Sequence, residues 1–70
     1  MYFKEIKKTN HYKEEHERYV PWSKVIEIIT TTKQKRKRGD KIEIKTNKFY
    51  VLCKLENHIL WVINAKRIKK

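Results

Sequence analysis

Cysteine, glycine and proline each occur once in these 70 residues, as Cys53, Gly39 and Pro21. A single thiol excludes an intrachain disulfide, and no Cys/His set has the spacing of a structural zinc site. With so little glycine and proline, no flexible linker is written into the middle of the chain. No apolar run approaches the roughly 20 residues needed to cross a bilayer, and the opening MYFKEIKK lacks the apolar stretch of a secretory leader. A cytoplasmic protein is expected, in agreement with the lone thiol. There is no Gly-rich phosphate loop, no nucleophile elbow, no carboxylate pair suited to glycoside chemistry and no internal repeat. No cofactor is expected.

Acids are scarce as well. Eight Asp and Glu face 19 Lys and Arg, for a formal charge of +11. Self-repulsion of that size works against a compact state, and an anionic partner is its ordinary use. A merely Lys/Ile-rich composition, as in a thermophile or an AT-rich genome, is the plainer explanation, but thermophile composition raises Glu together with Lys. A chain this short makes one domain, 1–70, and buries only about 60% of the surface exposed on unfolding. Ile, Val and large aromatics must supply its core.

Residues 2–7 read as a short strand. Residues 10–18 read as a helix capped by Thr9 or Asn10, with Glu14 and Glu15 near its positive end. Tyr12, His16 and Tyr19 share one face of it at i, i+4, i+7 spacing. A second helix opens at VPWSKVIEIITTT, with Pro21 suited to its first position. Its apolar stripe is Trp22, Val25, Ile26 and Ile29, widened by Ile28, and it fades through the β-branched run Thr30–Thr32. A basic loop, 33–38, then closes at Gly39-Asp40.

Period-two patterns follow. Ile42 and Ile44 alternate with Lys41, Glu43 and Lys45; Phe49, Val51, Cys53 and Leu55 alternate with Tyr50, Leu52 and Lys54. In the last segment Ile59, Trp61, Ile63 and Ala65 fall on one face and Leu60, Val62, Asn64 and Lys66 on the other. Short polar connections at Thr46-Asn47 and Glu56-Asn57-His58 predict an antiparallel meander. The expected fold is α+β, in the order β-α-α-β-β-β, with two helices packed on one face of a curled antiparallel sheet and the other face partly open.

This order, with the size and charge of the chain, resembles the RelE/ParE-type toxins of toxin–antitoxin pairs, and more closely their very short uncharacterised relatives. The most local likeness is His11-Tyr-Lys-Glu-Glu-His16-Glu-Arg18 followed by PWSKVIEII. His11 matches a His that opens the first helix in the short relatives. Glu15 stands where an Arg is expected, and Arg18 is one residue short of a second. The resemblance implies a metal-independent endoribonuclease that cuts mRNA, often on the ribosome, and is held by a small antitoxin. Some relatives poison DNA gyrase instead. Catalytic residues vary across the family, so no fixed set carries over.

Four groups of residues are candidates for chemistry. Lys33, Lys35, Arg36, Lys37 and Arg38 make five charges in six residues, a strong attractor of polyphosphate; a solvated charge run or localisation signal has the same composition. Lys66 and Arg67, leading into Ile68-Lys69-Lys70, sit at the end of the last strand, where Arg67 could clamp a phosphate in bidentate fashion. Lys4, Lys7 and Lys8 join them if the first strand pairs with the last. Lys45, Tyr50 and Lys54, with Lys41, form an outward row in which an aromatic ring could stack a base between cations. Tyr50 could equally donate a proton or simply pack.

The fourth group is the histidines. Cleaving RNA without metal needs a base, an acid and a cation at the phosphate. His11 beside Glu15, with Tyr50 and Arg67, is the candidate catalytic set. His11 and His16 are five apart, about 140° around a helix, and so do not form a metal pair; no metal is expected. His16 is expected to pack, and His58 to be solvated in a turn. Cys53 reads as a small core residue.

Three functions remain open: a toxin-like endoribonuclease, a non-catalytic architectural or viral nucleic-acid binder, and a toxin-like protein whose basic surface docks an acidic protein such as an antitoxin or a topoisomerase. Partners are thus RNA or DNA backbone, an acidic antitoxin or the ribosome, and no membrane. All-β chromatin barrels and the βαββαβ RNA-recognition fold fit poorly, because two consecutive helices precede the meander.

Overall fold

The computed structural model describes residues 3–68. It is a small α+β fold in which β1 (Glu5–Lys8), α1 (Asn10–Glu15) and α2 (Trp22–Thr31) precede β2 (Lys35–Arg38), β3 (Lys41–Lys45), β4 (Phe49–Glu56) and β5 (Ile59–Arg67). The five strands form one sheet in the order β1-β5-β4-β3-β2. The meander β3-β4-β5 is antiparallel as its alternation predicts, with Ile44 opposite Val51 and Val51 opposite Ala65. Three features of the sheet depart from the sequence reading.

First, the basic loop is a strand. Arg38 pairs with Lys41 and Lys35 with Ile44. The two intervening residues reverse the chain because Gly39 takes φ +63°, a conformation that costs an L side chain about 1–2 kcal/mol. The order therefore gains a strand over the expected β-α-α-β-β-β. β2 is an edge strand, and its run of cations is a usual guard against further pairing. The turn between β4 and β5 is equally tight: Glu56 pairs with Ile59, and Asn57 and His58 both take positive φ, 52° and 62°, as a type I′ hairpin requires.

Second, β1 pairs with β5 in parallel, Glu5 opposite Ile59 and Lys8 opposite Val62. The sheet is therefore mixed, not antiparallel throughout. This register brings β1 to the N-terminal half of β5, away from Lys66 and Arg67, and so separates Lys7 and Lys8 from that cluster. Tyr2 of the expected 2–7 strand lies outside the described residues.

Third, β5 carries a bulge. Leu52 pairs with Asn64 but the next residue, Cys53, pairs with Val62, so Ile63 is the extra residue. The bulge resets the alternation: Ala65 joins Leu60 and Val62 in the core, while Asn64 and Lys66 move to the face that carries Trp61. The two-face assignment read from strict period two is corrected at this point.

Both helices cover one side of the sheet. Tyr12, Val20, Val25, Ile28 and Ile29 meet Ile42, Ile44, Val51, Cys53, Leu60, Val62 and Ala65 in a single buried cluster. Truncating a large member such as Ile29 or Ile42 to Ala costs about 2–5 kcal/mol in a site of this kind. α1 is shorter than its expected 10–18. Thr9 caps it, its hydroxyl accepting from the Tyr12 N–H, and the chain leaves the helix at His16. Glu14 and Glu15 therefore fall at the end of the helix, with no acid in its first turn. Tyr12 and Tyr19 do not share a buried face: Tyr12 is fully buried, whereas Tyr19 is 60% exposed. α2 buries Val25, Ile28 and Ile29, with Trp22 packed beside them and Ile26 of the expected stripe left outside the core; it ends in the threonine run, where the Thr30 and Thr31 hydroxyls donate back to the Ile26 and Glu27 carbonyls. Pro21 sits one position earlier than expected, as the N-cap.

The core holds two ionisable groups. The Tyr12 hydroxyl donates to the Val20 carbonyl at 2.5 Å. Burial, aided by the Glu17 charge, pushes its pKa up to about 12. Burial pushes the Cys53 thiol up to about 12 as well. In the unfolded chain these groups ionise near 10 and 9. Above those values the unfolded state holds fewer protons than the folded one, so stability falls as pH rises. The melting temperature is expected to hold below about pH 9 and then to drop toward pH 12. Tyr12→Phe, melted across the same range, should be less stable at pH 7 by about 1–3 kcal/mol, because the Val20 carbonyl loses its donor. It should also show a shallower alkaline loss. An unchanged alkaline slope would contradict the assignment.

Candidate nucleic-acid interface

The side of the sheet away from the helices carries the second residue set of each strand. The pairing aligns these residues in rows across the strands. Lys45, Tyr50 and Lys66 form one row; Arg36, Glu43, Leu52 and Asn64 the next; Arg38, Lys41, Lys54, Trp61 and Lys7 the third. Directly opposed side chains in such a row stand about 5 Å apart. Two aromatic rings and seven cations thus share one open face, each ring with an ammonium beside it. Lys66 Nζ is 5.4 Å from the Tyr50 ring centroid and Lys7 Nζ is 5.7 Å from that of Trp61.

The two ends of this face differ in charge balance. At the Trp61 end the cations are answered: Lys41 and Lys54 lie 3.3 and 3.8 Å from Asp40, Lys54 lies 3.3 Å from Glu56, and Lys7 lies 3.8 Å from Glu5. The adjacent Lys41 lowers the Asp40 pKa, first by hydrogen bonding and then by its charge, with Lys54 adding to it. At the Tyr50 end, no carboxylate among the described residues lies within 4 Å of Lys33, Arg36, Lys45, Lys48, Lys66 or Arg67. The surplus charge is therefore concentrated where β2 and β4 begin and β3 and β5 end.

Adjoining hollows open there. One of about 420 Å³ is lined by Lys33, Gln34, Lys35, Arg36, Glu43, Lys45 and Tyr50. Another, of about 360 Å³, is bordered by Lys45, Tyr50, Lys66, Arg67 and Ile68. Tyr50 and Lys45 belong to both. Tyr50 is held by Glu43, whose carboxylate accepts from the hydroxyl at 2.7 Å and lies 3.6 Å from Arg38. The hydrogen bond from Tyr50, then Arg38 and Arg36, keep the Glu43 pKa below the ordinary carboxylate value. The same hydrogen bond raises the pKa of Tyr50. Glu43 is thus an ionised clamp that fixes the ring, and it escaped the sequence reading. Its signal was present: it lies on the outward period of β3, diagonal to Tyr50.

The sequence candidates divide across the molecule. Arg36, Lys45, Lys66 and Tyr50 come together, with Lys33 at the rim. Lys35 and Lys37 lie opposite Ile44 and Ile42, on the helix side, where Lys35 Nζ donates to the Thr32 carbonyl. Arg38 and Lys54 are engaged by Glu43, Asp40 and Glu56. Arg67 lies opposite Phe49, its guanidinium 5.9 Å from that ring centroid, and reaches the rim of the second hollow. Lys69 and Lys70 lie outside the described residues. His11 and Glu15 sit on α1, across the sheet from Tyr50, so the candidate catalytic set is not assembled in one place.

The histidines also differ from expectation. Because the helix ends at His16, the two rings meet after all, Nε2 to Nε2 at 3.1 Å with centroids 4.9 Å apart. Among the described residues no group of three or more His, Cys, Asp or Glu side chains could hold a metal. Cys53 is buried in the core, as its row predicts. Among the described residues no helix is long and apolar enough to cross a membrane. No known protein family, curated protein or solved structure matches the chain.

The clamp has a direct test. In Glu43→Ala the Tyr50 hydroxyl loses the hydrogen bond that raises its pKa, and with it the neighbouring charge. Its titration, followed by NMR of the ring carbon that bears oxygen, should move down toward the ordinary value near 10. An unmoved titration would mean that Glu43 does not engage the hydroxyl.

Proposed function

We propose that this chain is a nucleic-acid-binding protein that grips the sugar–phosphate backbone at the Tyr50 end of its open sheet face. The observation that carries the reading is the grouping of Arg36, Lys45 and Lys66 with Tyr50 along two adjoining hollows, with Arg67 at the rim of the second and, among the described residues, no carboxylate in ion-pair range of these four cations. Unanswered cations attract phosphate and release its condensed counterions, which is the main source of affinity in non-specific binding. The helical layer also carries cations, Lys13, Arg18 and Lys24, but Glu14, Glu15, Glu17 and Glu27 lie among them, so charge there is balanced and not in surplus.

The RelE/ParE-like endoribonuclease is the second reading. It is favoured by the order of one strand, two helices and then antiparallel strands, and it would bring an antitoxin and the ribosome as partners. Cleavage without metal needs a base and an acid beside the bound phosphate. His11 and Glu15 are on the far side of the sheet, and the depressed pKa of Glu43 makes it a weak base, so binding ranks ahead of catalysis.

Charge reversal separates place from total charge. In anisotropy titrations with a labelled RNA or DNA oligonucleotide, Lys45→Glu/Lys66→Glu should weaken binding at least tenfold at low salt. It should also flatten the slope of log K against log salt by about 2, one unit per lost phosphate contact. Lys13→Glu/Arg18→Glu carries the same charge change on the helical side and should have a small effect. Equal losses in both variants would contradict the proposed interface. The same RNA incubated in EDTA and run on a gel tests the second reading: fragments support the endoribonuclease, and intact RNA leaves binding alone.

A further inference from the structure

We infer that the ligand of this face is a single strand of nucleic acid lying across the β-strands, with one of its bases stacked on Tyr50; this rests on the nucleic-acid reading above. The first support is the shape of the cationic site. The two hollows that share Lys45 and Tyr50 extend from Arg36 on β2 to Lys66 and Arg67 on β5. That path crosses three strand spacings, about 14 Å. Phosphates on one strand are spaced by about 3.4 Å or more, so the path holds no more than about four nucleotides. Cations stand at both ends and the ring lies between them, which is the order of contacts that a short strand with one splayed base would meet.

The second support is the ring itself. Tyr50 is half-buried, anchored through its hydroxyl to Glu43 and flanked by Lys45 and Lys66 on the neighbouring strands. A ring fixed at its polar end loses little freedom when a base lies on it. Lys66, now 5.4 Å from the ring centroid, is exposed and long enough to swing from the ring to a phosphate, and a base stack is the stronger contact of the two.

The third support is what the face cannot do. In a duplex the bases are stacked inside, so Tyr50 would meet only backbone. Reading a major groove takes a protruding helix or two-stranded ribbon. Here the two helices carry Lys13 and Lys24 against Glu14, Glu15 and Glu27, and the cations without a carboxylate partner floor a sheet.

The test uses the whole chain with four probes of equal strand length, about eight nucleotides, in anisotropy at fixed low salt. These are single-stranded RNA, single-stranded DNA, the DNA duplex, and an abasic strand with the same phosphates. Either single strand should bind at least fivefold tighter than the duplex and the abasic strand, the size of one base–aromatic stack. Tyr50→Leu should remove that advantage by weakening the single strands more than the abasic strand, and Tyr50→Phe should retain it; circular dichroism melts check that both variants fold. The wild-type comparison stands even if a variant does not fold. RNA ahead of DNA, or the reverse, identifies the source of the strand, and either order supports the inference. Duplex or abasic strand bound as tightly as the single strands overturns the inference while the nucleic-acid reading survives. No binding to any of the four overturns both.

Discussion

A chain of this length can bury one side of a sheet and no more. Among the described residues, twelve buried hydrophobic side chains come from two helices, the segment between them and the inward row of three strands, and they form one cluster. Among the described residues no helix covers the other side. Its outward rows combine Lys, Arg and Glu with Tyr50, Trp61, Leu52 and Asn64. The open face follows from the limited apolar content, and the function proposed for this chain follows from the open face.

Electrostatics then distinguishes the two ends of that face. Surface ion pairs contribute little stability, commonly about 0–1 kcal/mol, so the pairs around Asp40 and Glu56 matter less for folding than for where they leave charge unopposed. They answer the cations near Trp61 and leave those near Tyr50 without partners. Glu43 is the instructive exception. A carboxylate among cations that should hold phosphate works against binding, unless its role is to fix neighbours. Its contacts with the Tyr50 hydroxyl and the Arg38 guanidinium fit that role.

The parts of the fold that rest on alternation were legible. Ile42 with Ile44, and Val51 with Cys53, announced their inward faces, and the polar breaks between segments announced the meander. Three features were not legible, for physical reasons. Lys35–Arg38 is a strand because its backbone pairs with β3, and a uniformly cationic segment has no alternation to reveal this. The bulge at Ile63 sits in a segment apolar on both faces, where a shift of one residue leaves the pattern looking intact. The contact of His11 with His16 arises because the helix stops at Glu15, a boundary that no glycine or proline marks. At the site, Lys45, Tyr50 and Lys66 were found by period two, yet the reading scattered the same expectation over Lys35, Lys37, Arg38 and Lys54. Which of those cations has a carboxylate beside it is a property of strand register, and register needs the turns and the bulge.

The central claim is that the surplus charge works at the Tyr50 end of the open face. Backbone amide NMR of the labelled protein, titrated with an eight-nucleotide single strand at low salt, tests it most directly. The account predicts shift changes concentrated at Arg36, Glu43, Lys45, Tyr50, Lys66 and Arg67, with α1 and α2 nearly still. Changes centred on the helices, or spread evenly over every lysine, would contradict it.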